Sequence, residues 1–220
     1  MAASYDHIPW CFPYIEGCVS ISKASRAVPE VHIYRFAITA SAVMMVMYWV
    51  LCGQWLRLLQ QQCTNTGEQA KPLPKYMVFV YVGVIASICL AINAALMGDS
   101  EGILRNVRRE SVRVFFIGTV LAQCLFGYAL FKFVKQNKLT GLTKLSKYKA
   151  IICLCQLTFA LGFASLEPLI EDKEKMINMV NMVEWNIVLL IIAFFILTGI
   201  CWNKTRFNAS TMLVNLNNSG

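Results

Sequence analysis

The chain has 220 residues, of which 57% are hydrophobic and only 15% charged, with a mean hydropathy of +0.55. A water-soluble helical domain keeps a charged face toward solvent, and this composition leaves too few charges to make one. The net charge of +8 does not point to nucleic acid either, because its distribution is accounted for by membrane topology, and no nucleic-acid partner is expected.

The first 33 residues, expected as a non-cytoplasmic N-terminal loop, contain no long apolar run. Met1–Ser20 lacks the apolar stretch of about 7 to 15 residues that a secretory signal needs. It does carry Cys11 and Cys18, which on an oxidising side of a membrane would form a disulfide. Serines, Pro29 and Glu30 then precede an apolar run, as at a capped helix start.

Five apolar runs follow, over residues 34–56, 76–97, 112–134, 148–166 and 179–202. A helix rises about 1.5 Å per residue, so about 20 apolar residues cross a ~30 Å hydrocarbon layer. Stretches such as Ile187–Ile192 are continuously apolar rather than alternating, which excludes barrel strands. The fold class is all-α: a polytopic membrane bundle with five transmembrane helices in one domain, 34–203, and a tail over 204–220. The connections Gly98–Glu110 and Pro168–Asn178 are short, charged and too small to form a separate domain.

Basic residues set the expected orientation. Arg57, Lys71, Lys75, Lys132, Lys135, Lys138, Lys144, Lys147, Lys149, Lys204 and Arg206 fall on one side together with a single acid, Glu68. The opposite side holds the remaining acids, among them Glu16, Glu30, Asp99, Glu101, Glu167, Glu171, Asp172 and Glu174. By the positive-inside rule the N-terminus is non-cytoplasmic and the C-terminus cytoplasmic, in a bacterial inner membrane or a eukaryotic endomembrane or lysosome. The sequons at Asn203, Asn208 and Asn217 are then cytoplasmic, and glycan on any of them would invert the map.

Cys52, Cys89, Cys124, Cys153, Cys155 and Cys201 lie within or at the edges of runs, where cysteine is a small apolar packing residue. With only His7 and His32 in the chain, no metal-ligand set is expected. Nucleophile-elbow, zinc-hydrolase and phosphate- or dinucleotide-loop motifs are also missing, so neither cofactor nor catalytic residue is assigned. Asn93, Gln123, Gln156 and Asn186 lie inside runs and are expected to hydrogen-bond between helices. Small residues four apart, such as Gly118 and Ala122, let helices approach closely and favour a compact bundle.

Ser20-Ile21-Ser22 after an aromatic and proline segment, then Pro29-Glu30, an aromatic and Arg35-Phe36 leading into the first run, form one pattern. Glu184-Trp185 near the start of the last run is a second. Together these resemble the DRAM-like membrane family of damage-regulated autophagy modulators, with relatives among GPI-anchor lipid factors and bacterial membrane proteins. The resemblance implies a six-span plan of which this chain shows the last five. A partner helix or a second copy would then complete the bundle.

Arg35, Arg113, Glu167 and Glu184 fall at the same expected interface, at the ends of four runs. Two cations and two carboxylates at one depth suit a pocket for a lipid headgroup phosphate, the arginines contacting it and the acids orienting them. The resemblance implies a non-enzymatic role in lipid handling, membrane trafficking or autophagy-type regulation, with membrane lipids as partners. A small transporter or channel lined by the span amides and Glu184 is the alternative, and a lipid-modifying enzyme the third.

Overall fold

In a computed structural model of the chain, the described residues are 12–21, 29–65, 77–97, 102–137, 139–166, 170 and 172–205. Among them every regular element is a helix: α1 (Pro13–Glu16), α2 (Glu30–Asn65), α3 (Val78–Ala95), α4 (Gly102–Gln136), α5 (Thr140–Leu166) and α6 (Lys173–Lys204). Four of them, α2, α3, α4 and α6, are long and apolar enough to cross a membrane. The fourth run, 148–166, lies in α5, a helix of 27 residues whose first half carries Lys144, Lys147 and Lys149.

Helix lengths differ more than the runs imply. The 18 residues of α3 make about 27 Å and match the bilayer, while the 36 and 35 residues of α2 and α4 make more than 50 Å. The charged stretch expected as a connection before the third run is largely the first turns of α4, because arginine and glutamate are good helix formers and nothing after Gly102 interrupts them. Likewise α6 starts at Lys173, where the Asp172 carboxylate accepts from the backbone N–H groups of Glu174 and Lys175 and caps the helix.

Each long helix packs on the next in sequence, α2 on α3, α3 on α4, α4 on α5 and α5 on α6. Aromatic side chains of α2 reach back to α6: the Tyr48 and Phe195 rings lie 4.4 Å apart and those of Trp49 and Phe195 6.2 Å apart. Starts and finishes alternate, as Arg35 at the start of α2 meets Met97 after α3, and Trp55 late in α2 donates to Thr205 just beyond α6. The bundle therefore has a loop end, where α2, α4 and α6 begin, and a tail end, where they finish.

Glycine fixes two of the contacts. A side chain at Gly83 of α3 would overlap the Trp49 indole of α2, and a Cβ at Gly118 of α4 would stand 3.0 Å from the Ala86 Cβ of α3. Ala122, one turn on from Gly118, is fully buried, as the small-residue pairing predicts, whereas Ala37 and Ser41 are exposed along α2. Trp49, Trp55, Phe79, Phe126 and Phe194 form an aromatic core.

The buried amides do bridge helices. Gln156 of α5 donates to the Gln123 carbonyl of α4 at 2.7 Å, Gln123 donates to the Ile191 backbone carbonyl of α6 at 3.5 Å, and Asn93 donates to the Arg108 carbonyl.

Candidate functional site

Residues 12–21 are strapped across the first turns of α6. Pro13 starts α1 with the φ a first helical turn needs, and Gly17 ends it in the left-handed region at φ 63°, its N–H bonded to the Pro13 carbonyl. That turn exposes three carbonyls to α6. Asn186 donates to Tyr14, Asn181 to Gly17 and Trp185 to Val19, at 2.8, 2.8 and 2.9 Å. The Tyr14 ring meets the Trp185 indole edge-on at 5.2 Å. No residue larger than glycine fits at 17, since its Cβ would overlap the Asn178 carbonyl.

The two patterns behind the family resemblance thus meet at the loop end. Ser20 lies half-buried in the strap, Pro29 precedes α2, Glu30 is its first residue, and Trp185 is the strap's anchor. Ser22, Cys11 and Glu167 lie outside the described residues. Cys18 is disulfide-bonded.

Beside the strap, Glu184 is half-buried and makes no ion pair among the described residues, with Tyr34 of α2 facing it. One residue along α2, the Arg35 guanidinium donates to the Met97 carbonyl and thereby ties α2 to the end of α3, while its Nε is buried without a partner. Arg113 stands apart from these in character: it pairs with Glu110 one turn earlier on α4 at 2.6 Å, both side chains more than 60% exposed. Such a pair contributes little to stability and leaves Arg113 able to reach headgroups.

A second polar centre lies toward the tail end and was not expected from the sequence. Lys149, counted there with the loop lysines, is 0% exposed inside the bundle. Its Nζ donates to Thr198 Oγ1 at 2.6 Å and stands 4.4 and 4.5 Å from the ring centres of Phe126 and Phe194. Thr198 Oγ1 in turn donates to the Phe194 carbonyl and lies 2.7 Å from the Tyr48 hydroxyl. One hydroxyl proton and two lone pairs are then all used, with Lys149 and Tyr48 donating. Helical spacing carried the signal: Lys149, Cys153 and Gln156 fall on one face of α5.

The description of the family model that matches residues 1–200 is Frag1/DRAM/Sfk1/Cwh43P N-terminal domain. No curated protein and no solved structure matches the chain.

Proposed function

We propose that this chain, which belongs to the Frag1/DRAM/Sfk1/Cwh43P family, acts without turnover in lipid handling or autophagy-type membrane trafficking. It is an integral membrane protein by its family and its apolar helices. The observation that carries the finer reading is the half-buried Glu184 beside Tyr34 and the strap, at the same loop end of the bundle where Arg35 ties α2 to the end of α3. A carboxylate removed from water without an ion-pair partner suits an amine-bearing headgroup, and Arg35 suits its phosphate, with exposed Arg113 at the rim and Glu167 completing the expected set.

The same reading puts the loop end on the non-cytoplasmic side. Lys135, Lys144 and Lys147 are exposed around the turn between α4 and α5 at the tail end, as the positive-inside rule requires of a cytoplasmic face. The disulfide-bonded Cys18 suits an oxidising compartment at the other end. A partner helix or second copy against the bundle belongs to this reading as well.

The test is lipid retention. Full-length protein purified in mild detergent should carry phospholipid, measured by mass spectrometry of the extracted lipid. Arg35→Gln and Glu184→Gln should each lower the amount severalfold. Retention unchanged in both variants removes the headgroup site, and a chemically altered lipid product on incubation would move the reading to an enzyme.

A further inference from the structure

The inward seam of α6 repeats every seven residues. Ile187, Phe194 and Cys201 supply its buried apolar positions. Ile191 and Thr198 lie between them, with Glu184 before and Thr205 after; the Ile191 side chain is itself buried and apolar, and its backbone carbonyl is the polar group at that position. Glu184 offers its carboxylate, Ile191 a backbone carbonyl bound by Gln123, Thr198 the hydroxyl that holds Lys149, and Thr205 the hydroxyl that accepts from Trp55. From 184 to 205 a helix rises about 31 Å, the thickness of the hydrocarbon layer. The polar stations are thus spaced about 10 Å apart over a length comparable to that layer, with the apolar cluster of Val120, Val183, Ile187 and Ile191 between Glu184 and the middle one.

Two further features separate this seam from ordinary packing. Lys149 is fully buried, and no carboxylate pairs with it among the described residues. An ionisable side chain inside a membrane bundle is costly and marks ion or proton pathways. In addition, Gln156 Oε1, Thr119 Oγ1 and Trp49 Nε1 are buried without a hydrogen-bond partner. Thr119 lies one turn from Gln123 on α4 and Gln156 bonds Gln123, so two of these atoms belong to the middle station. Buried polar atoms of this kind are ordinarily satisfied by water.

We propose that this seam is a gated proton path, with water held at the middle station by Thr119, Gln123 and Gln156 and with Glu184 and Lys149 as its two titrating stations. At the tail end the Lys149 ammonium gives its proton to water and is left as the amine. The Glu184 carboxylate takes a proton from solvent at the loop end and releases it to the middle-station water, which passes a proton to the Lys149 amine, so each cycle moves one proton and changes no other bond. Phe126 and Phe194 close the path: their rings pack 6.1 Å apart, and both face the Lys149 ammonium. The titratable groups around Lys149 are Tyr48 and Cys52 of α2, Cys153 of α5 and Cys201 of α6, while α4 presents the Phe126 ring. Tyr34 of α2 faces Glu184.

The experiment uses full-length protein in phosphatidylcholine vesicles with a trapped pH-sensitive dye, an imposed pH gradient, and potassium with valinomycin to balance charge. Wild type should dissipate the gradient faster than protein-free vesicles, Phe194→Ala faster still, and Lys149→Met and Gln156→Leu at least about tenfold slower than wild type. Wild-type vesicles no leakier than empty ones, or Lys149→Met as fast as wild type, overturn the proposal. If Lys149→Met fails to give a monodisperse helical protein, Gln156→Leu, which leaves Lys149 intact, decides in its place. Lipid retention is measured separately, so the loss of either reading leaves the other standing.

Discussion

Trp185 Nε1 donates to the Val19 carbonyl at 2.9 Å, and this one bond joins two segments 166 positions apart in the chain. It makes residues 12–21 part of the bundle. Trp185→Phe keeps an aromatic ring against Tyr14 but leaves the Val19 carbonyl without its donor. The expected cost is about 1 kcal/mol, seen as faster limited proteolysis within residues 12–21 while the rest of the bundle stays protected. Equal protection of the segment in both proteins would remove the anchor role.

Gly17→Ala is expected to act on the same strap more severely. The backbone there is left-handed, and a Cβ would overlap the Asn178 carbonyl, so the strap has to lift rather than adjust. Proteolysis should then open the segment as fully as Asn181→Ala combined with Trp185→Phe, and adding Gly17→Ala to that double variant should change little.

The apolar runs were legible because each keeps nearly all charge out of about 20 residues, the length that crosses a bilayer. The starts of α4 and α6 were not, since turns such as Gly102–Glu110 read as a charged connection when nothing records that the helix continues through them. The Glu184-Trp185 pattern was visible, but its target was not: a bond from a side chain to a backbone carbonyl leaves no trace in the accepting residue's identity. Lys149 was misplaced for a related reason. At the edge of a run, topology counting assigns a lysine to the loop, and only its helical spacing from Gln156 shows that it faces inward.

The Gln123 and Gln156 pair gives a coupling test. Gln156→Leu alone leaves the Gln123 carbonyl without its donor in the core, and the melting temperature in detergent should fall. Replacing both by leucine removes the orphaned group and should recover part of the loss, with a coupling energy of about 0.6 to 2 kcal/mol. Strict additivity of the two single changes would mean that the 2.7 Å contact contributes nothing in the membrane.

Lys149 and Thr198 should behave in opposite directions. The ammonium is held by one hydroxyl and two ring faces rather than by a carboxylate, so its desolvation is only partly offset. Lys149→Met keeps the length and apolar stem of the side chain and removes the charge, and it is expected to leave the melting temperature unchanged or raised. Thr198→Val keeps the shape but deprives both Lys149 and Tyr48 of their acceptor. Each buried donor left unmade costs about 1 to 3 kcal/mol, so this variant should melt several degrees lower. With Lys149→Met already present, Thr198→Val orphans only Tyr48, and its penalty should shrink. An undiminished penalty in that double variant would show that Thr198 stabilises the bundle through Tyr48 and Phe194 alone, with the lysine a bystander to the packing.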